Sequence, residues 1–315
     1  MKSLVQKYNI PGPRYTSYPT VPYWNKAGID KQDWVQSFQK SFTESNSLEG
    51  ISVYIHLPFC ESLCTFCACH KHITKRHEVE VEYIETVLKE WKLYVALVTE
   101  TPIIKELHLG GGTPTFFSKE NLKYLMDGIF ENAEKHPNSE FSFEGHPNNT
   151  TKSQLQTLYN CGFTRVSFGV QDYNQKVQEA IHRVQPLTMV SELVDNARSL
   201  GIKSINFDLI YGLPYQSLEG FKETLDQVIS LSPERISLFN YAHLPERFSA
   251  QKRILDNTLP LPNIKLDLLK MSIEYLTAAG YDYIGMDHFA KPSDELALAQ
   301  KQGKLQRNFQ GYTTH

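Results

Sequence analysis

The chain repeats one pattern about six times: a short apolar run, then glycine or polar residues, then a stretch with helical periodicity. Strands that alternate with helices in this way are typical of a parallel sheet, because each parallel pair needs a long crossover. Two of the predicted elements are a helix over residues 119–134 and a strand over residues 140–143. Serial units without a reversal curl most simply into a barrel or part of a barrel. A doubly wound open sheet is the alternative, although no switch in strand order is visible in the sequence.

The ends of the predicted strands carry the residues that can do chemistry. Barrel enzymes place their functional groups at the carboxyl ends of the strands. The corresponding positions here are a cysteine-rich loop at 58–69, glycines at 110–112, Glu144, Gln171, Asp208 and residues 242–243. We therefore predict one site at that edge of the sheet. Arg183 follows in a helical stretch, where it is either a guanidinium that binds a ligand carboxylate or a solvated helix charge.

Three cysteines form the most specific motif of the chain. Cys60, Cys64 and Cys67 have the spacing C-x3-C-x2-C and directly follow a predicted buried strand. Thiolates are soft ligands that suit iron–sulfur clusters and zinc. Because a 4Fe–4S cluster normally takes four cysteines, three in one loop would leave one iron open to a substrate or cofactor.

A structural zinc site is the other interpretation of this loop. Cys69, His70 or His72 could supply a fourth ligand. Structural zinc sites usually pair two ligand couples from separated places in the chain. No second couple is visible, so the cluster is the favoured interpretation.

Composition places the chain among ordinary globular proteins. Its 315 residues are 41% hydrophobic and 21% charged, which suits one large barrel-like domain or two smaller ones. The net charge of −3 argues against a general nucleic-acid binder, and no apolar stretch is long enough to span a bilayer. Four of the five cysteines lie within ten positions, so we expect a reducing, cytoplasmic setting in which cysteines bind metal.

The N-terminal segment is unusual in combining prolines with aromatic residues. Four prolines between residues 7 and 24 exclude a regular helix there. Disordered tails are poor in aromatics, so this arm is predicted to pack against the protein or a ligand. Arg14 lies within it and is predicted to meet a substrate carboxylate. The predicted organisation is an arm and helix over 1–48, an α/β part-barrel over 49–290, and the start of a further region over 291–315.

Several long motifs together resemble the oxygen-independent coproporphyrinogen III oxidases, a subgroup of the radical S-adenosylmethionine (SAM) superfamily. The matching segments are residues 12–20, 54–69, 110–115, 167–172, 208–214, 239–245 and 284–290. The resemblance implies a partial (β/α)6 TIM-like barrel and, as cofactors, one 4Fe–4S cluster and one or two SAM molecules. Two departures stand out: Gly145-His146 replaces a more acidic pair, and the chain stops where the family continues into a helical C-terminal domain.

The resemblance also assigns individual residues. It implies that the cluster ligands are Cys60, Cys64 and Cys67, and that Cys69 is needed for activity. The implied SAM contacts are Tyr54, Phe66, Gly111, Gly112, Thr113, Glu144, Gln171, Arg183, Asp208 and Ala242.

The implied reaction is the oxidative decarboxylation of two propionates of coproporphyrinogen III to vinyl groups, which gives protoporphyrinogen IX. A protein such as flavodoxin is expected to donate the electron, the final electron acceptor is open, and the protein is expected to be a monomer. The alternative is a haem-binding chaperone that shares the cluster loop. Residues 12–20 and Cys69 oppose that alternative, because the chaperone relatives generally lack both.

Overall fold

A computed structural model describes residues 23–24, 28, 30–307 and 311–314. Most of the predicted N-terminal arm, including Arg14, lies outside this part of the chain. Within it, an eight-stranded sheet forms the body of the protein. Two small sheets, β2-β3 and β11-β12, accompany it. The strands of all three sheets are β1 (Ile51–Leu57), β2 (Phe59–Cys60), β3 (His72–Ile73), β4 (Ile103–Gly111), β5 (Glu134–Gly145), β6 (Phe163–Gln171), β7 (Ser204–Tyr211), β8 (Arg235–Asn240), β9 (Asp282–Gly285), β10 (His288–Ala290), β11 (Gln306–Arg307) and β12 (Tyr312–Thr313).

The order of the strands in the main sheet is β1-β4-β5-β6-β7-β8-β10-β9. The first six run parallel and follow the chain without a reversal, whereas β10 and β9 are antiparallel. β1 and β9 are the two ends of this order, so in the described residues the sheet is a part-barrel and does not close. The predicted part-barrel is confirmed, and the doubly wound alternative is wrong because no strand of the described residues pairs with the far side of β1.

Helices connect the parallel strands and cover one face of the sheet. They are α1 (Lys31–Ser45), α2 (Val79–Val95), α3 (Lys119–Phe130), α4 (Lys152–Asn160), α5 (Gln175–Ala180), α6 (Leu187–Leu200), α7 (Leu218–Leu231), α8 (Pro262–Ala278) and α9 (Glu295–Lys301). Asp30 caps α1 by accepting from the backbone N–H groups of Gln32 and Asp33. Gly162 and Gly201 adopt the left-handed conformation expected after α4 and α6, with φ of 101° and 96°. None of the helices in the described ranges has the length and apolar character needed to cross a membrane.

One predicted boundary is wrong. The helix expected over residues 119–134 ends at Phe130, and β5 begins at Glu134 rather than at residue 140. Glu134 donates its backbone N–H to Pro102 O at 2.8 Å, which starts the pairing with β4. Pro137 could not have continued the helix, because proline lacks the backbone donor and clashes with the preceding turn.

The two faces of the sheet differ in chemistry. Side chains alternate between the faces along a strand, and one set is apolar and packed beneath the helices, for example Phe141, Phe143, Phe168 and Phe207. The other face carries polar side chains at the intervening positions of four neighbouring strands, including His108, Ser142, Glu144, Ser167, Asn206 and Asp208. A fully packed barrel would fill its interior with apolar side chains. Here the inner face is instead suited to polar contacts with a ligand.

Candidate active site

The cysteine loop is fixed to the carboxyl edge of the sheet at both ends. β2 continues from β1 after Pro58 and pairs in parallel with β3, so the loop from Cys60 to His72 returns to its starting point. Thr65 is fully buried and ties the middle of the loop to the end of α5, through its N–H to Ile181 O and its hydroxyl to Ala180 O, each at 3.1 Å. The loop therefore has a defined shape before any cofactor binds.

The three predicted ligand thiols lie close enough to influence one another. Burial raises the pKa of the Cys60 thiol, and the negative charges of Cys67 and Cys64 raise it further. Cys64 is buried and accepts from Arg183 Nη1 at 3.6 Å. A side-chain hydrogen bond from Cys69 lowers the pKa of Cys67 to about 6, and the Lys71 ammonium acts in the same direction. Three neighbouring thiols, one of them contacted by a guanidinium and another with a lowered pKa, are a donor set that suits an iron–sulfur cluster.

Among the residues that the structure describes, no three His, Cys, Asp or Glu side chains form a group that could hold one metal ion. Cys69 is exposed at the mouth of the loop, and His70 and His72 are exposed as well.

The glycine loop after β4 presses directly against the cysteine loop. Gly112 N donates to Leu57 O at 2.9 Å, and Thr113 N donates to Phe59 O at 3.0 Å. A Cβ on Gly112 would lie 2.5 Å from the Pro58 carbonyl, so no side chain fits there. Thr113 Oγ1 in turn lies 3.2 Å from Cys60 Sγ. The backbone of Gly112 therefore lies directly against the backbone of the cysteine loop.

Glu144 connects the glycine loop to the polar face of the sheet. Its carboxylate accepts from Gly111 N at 3.2 Å and lies 3.6 Å from His108 Nε2. Tyr54 stacks on the His108 ring. A Cβ added at Gly110 would lie 3.0 Å from Tyr54 Cε2, so the tyrosine packs closely over this glycine. Burial raises the pKa of Tyr54 to about 12, and the charge of Glu144 adds to this shift. Tyr54 therefore remains a neutral hydroxyl at physiological pH.

Asp208 stands two strands further along the same face. The sheet register sets Glu144 beside Ser167, and Ser167 donates to Asp208 Oδ2 at 2.9 Å. Asn206 Nδ2 donates to the other oxygen at 2.8 Å. Burial nevertheless raises the pKa of Asp208 to about 6, with the charge of Glu144 as a second cause. The carboxylate is oriented by two hydrogen bonds and is poorly solvated, so it is suited to accept hydrogen bonds from the hydroxyl groups of a ligand.

Arg183 is not a solvated helix charge. It follows α5, and its Nη2 donates to Gly169 O at 2.7 Å near the end of β6. Beside it, burial lowers the pKa of His146 to about 3, and the Arg183 charge contributes. His146 is therefore neutral, and its Nδ1 accepts from Asn148 N at 3.1 Å. Gln171, the last residue of β6, is buried and adopts the left-handed conformation with φ of 68°.

Two buried residues that the sequence did not single out hold the loops together. Gln251 Nε2 donates to Phe66 O at 3.1 Å and to Ala242 O at 3.2 Å, and thereby ties the cysteine loop to the loop after β8. Gln251 is fully buried, yet its position far along the chain gives no local pattern that would reveal it. Asp172 is also fully buried and accepts from Gln216 and Thr224. Both residues organise the site without lying on its open face.

The fold and this edge of the sheet define a radical SAM protein, and residues 54–228 match the model of the Radical SAM superfamily. The chain is 45% identical to the oxygen-independent coproporphyrinogen III oxidase of Pseudomonas aeruginosa and 43% identical to that of Escherichia coli. Each match covers 99% of this chain and 67% of the relative. The solved structure of coproporphyrinogen III oxidase from Escherichia coli, a radical SAM enzyme, matches with 42% identity and a TM-score of 0.90 over 96% of this chain and 68% of that one. The chain belongs to the family of oxygen-independent coproporphyrinogen III oxidases.

This membership confirms the predicted family, the part-barrel fold and the pair of cofactors, a 4Fe–4S cluster with SAM. The chain spans about two thirds of the length of the curated relatives that it matches. The domain boundaries and the roles of individual residues stay predictions.

Proposed function

We propose that this chain carries the radical SAM site of an oxygen-independent coproporphyrinogen III oxidase. The proposed reaction is oxidative decarboxylation of two propionates to vinyl groups, giving protoporphyrinogen IX for haem synthesis without oxygen. The observation that carries the proposal is the meeting of three thiols, a side-chain-free glycine loop and two carboxylates at one edge of a part-barrel. Relatives of this name are 38–46% identical to the chain over the aligned residues, which supports the substrate assignment.

Cys60, Cys64 and Cys67 are proposed to hold the cluster. Thr113 lies against the first thiol and Arg183 against the second, while a hydrogen bond from Cys69, together with the Lys71 ammonium, lowers the pKa of the third. When bound, the cluster and SAM supply a one-electron cleavage that produces a carbon radical able to remove hydrogen from the substrate. The contribution of these residues is to hold the thiolates in place and to shield them within the loop.

The residues around the glycine loop are proposed to bind SAM. Gly111 and Gly112 offer backbone groups at close range, because nothing projects from them toward the thiols. Asp208 and Glu144 supply carboxylates for hydroxyl or amino groups, and Arg183 supplies a cation for a carboxylate. The other proposed contacts are Tyr54, Phe66, Thr113, Gln171 and Ala242. A second SAM molecule is an extension of this proposal and would account for the large number of contacts.

Cys69 and Arg14 are proposed to act on the substrate side. Cys69 is exposed beside the thiol loop, and its hydrogen bond to Cys67 sets it at the entrance of the site. Arg14, which lies outside the described residues, is proposed to bind a substrate propionate.

The proposed setting is that of a monomeric cytoplasmic enzyme supplied by a protein electron donor such as flavodoxin. The proposal does not assign the final electron acceptor. A haem chaperone is the second function within this superfamily, and the presence of Cys69 disfavours it.

Anaerobic incubation with dithionite, SAM and coproporphyrinogen III, with products followed by mass, tests the proposal. We expect a stepwise loss of two carboxyl groups together with methionine and 5′-deoxyadenosine. SAM cleavage without loss of carboxyl groups, combined with tight haem binding, would instead favour the chaperone.

A further inference from the structure

The segment that follows the cysteine loop is basic and exposed. We call residues 70–76 the basic ribbon. They contain His70, Lys71 and His72 in succession, then Lys75 and Arg76, and no acidic residue. His70, His72, Lys75 and Arg76 are exposed, and Ile73 at the centre is 39% exposed. Such a concentration of positive charge is local, because the chain as a whole has a net charge of −3.

The outer cations of the ribbon have no carboxylate partner among the residues that the structure describes. Within the part of the chain that the structure describes, no carboxylate lies within 4.0 Å of the side-chain nitrogens of Lys75 or Arg76. The neighbouring acids Glu61 and Glu80 are both directed to His77, at 3.5 and 2.6 Å. Lys71 turns inward and donates to Cys67 O at 3.0 Å. Lys75 and Arg76 therefore present their charge to whatever approaches this surface.

The ribbon is also bonded directly to the proposed cluster loop. His72 N donates to Pro58 O at 2.8 Å, and Thr74 N donates to Cys60 O at 2.9 Å. A partner that touched the exposed side of the ribbon would thus be separated from Cys60 by one layer of backbone.

We propose that the basic ribbon is the docking surface for a small acidic one-electron carrier protein that reduces the cluster. This inference rests on the proposed function, since it assumes a redox cluster on the three thiols. In the step itself, one electron leaves the reduced cofactor of the carrier and enters the cluster, and no group is transferred. Complementary charge raises the encounter rate of such partners about 10- to 1,000-fold at low salt, and the exposed Ile73 supplies an apolar centre for the contact.

Charge reversal of Lys75 and Arg76 together tests this surface. Reduced flavodoxin is the probe, and the rate of cluster reduction is followed by the loss of visible absorbance under anaerobic stopped-flow conditions. The matched control reverses Lys89 on α2 and Lys203 before β7, two exposed lysines at other places that give the same net charge. Iron content of every variant is measured first, and Lys75→Gln/Arg76→Gln provides a milder change.

We expect the ribbon reversal to slow reduction by flavodoxin about tenfold or more at low ionic strength, and the difference to shrink as salt screens the charges. Reduction by dithionite should be unchanged, and so should SAM cleavage driven by dithionite. Reduction by flavodoxin at the wild-type rate, or an equal slowing in the control pair, would overturn the proposal. A raised substrate KM with dithionite would also overturn it, by assigning the ribbon to substrate carboxylates. Absence of a cluster, or no SAM cleavage with dithionite in the wild type, would instead reject the proposed function.

Discussion

Replacing Asp208 with asparagine should stabilise the protein at neutral pH and weaken its binding of SAM. The carboxylate accepts from Ser167 and Asn206, but burial and the charge of Glu144 raise its pKa from 3.8 to about 6. Its charged form is therefore less stable in the folded protein than in the unfolded chain. A residue that destabilises the fold at neutral pH while facing the site is consistent with a binding role.

The magnitude follows from the shift of the pKa. A change from 3.8 to about 6 corresponds to about 3 kcal/mol at pH values above the folded pKa. Asparagine removes the charge but places an amide beside the Asn206 donor, and a lost hydrogen bond costs about 1 kcal/mol. We therefore expect a net gain of about 1–2 kcal/mol at pH 8.

The dependence on pH identifies the cause. Because the folded pKa is raised, the folded protein binds the proton more tightly, and the wild-type protein is destabilised as the pH rises from about 4 to above 6. The gain from Asp208→Asn should accordingly shrink by about 1 kcal/mol between pH 8 and pH 5. Urea unfolding of the apoprotein at both pH values measures it, with Asp195→Asn on the exposed side of α6 as the matched control.

Two results would refute this reasoning. A stability gain that is absent, or equal at pH 8 and pH 5, would show that the Asp208 carboxylate is not poorly solvated. Unchanged SAM affinity in the variant, with full iron content, would remove Asp208 from the binding site and leave it a structural residue.

Three further changes test other parts of the site. Cys69→Ser should keep the iron content and SAM binding but yield little vinyl product, whereas loss of the cluster would make Cys69 a ligand. Gly112→Ala should destabilise the protein by about 1–3 kcal/mol in thermal unfolding, because its Cβ would lie 2.5 Å from the Pro58 carbonyl; Gly220→Ala, with no contact under 3.3 Å, should not, and equal stability of the two variants would contradict this. Arg14→Lys should raise the substrate KM or lower turnover, since lysine cannot form the two-pronged pair with a carboxylate, and unchanged values of both would reject that contact.

The part of the fold that the sequence predicted well depends on local pattern. Alternating apolar runs and helical stretches indicated the serial units, and the glycines after α4 and α6 marked the helix ends. The end of α3 was missed because Glu131 to Lys135 are good helix formers, and only the pairing of Glu134 with β4 overrides that preference.

The site was predicted where residues lie at strand ends, and missed where it depends on contacts between distant segments. Glu144 lies one residue before the end of β5, close to its predicted position. Asp208 was also predicted at a strand end, but β7 continues to Tyr211, so its side chain reaches the site from the polar face of the sheet. Gln251 could not be found this way, because a buried amide that joins the loop at Phe66 to the one at Ala242 has no signature in its own neighbourhood. Likewise, the inward turn of Arg183 depends on Gly169, where a side chain would lie 2.6 Å from the guanidinium.

Iron and sulfide analysis of the reconstituted protein tests the central claim most directly. We predict about four iron and four sulfide ions in the wild type and in Cys161→Ala, which alters a thiol outside the loop. Cys60→Ala, Cys64→Ala and Cys67→Ala should each lose the cluster, because a cluster that already has one protein ligand fewer than usual does not tolerate the loss of another. Full iron content in any one of these three variants, or a single zinc ion in the wild type, would contradict the account.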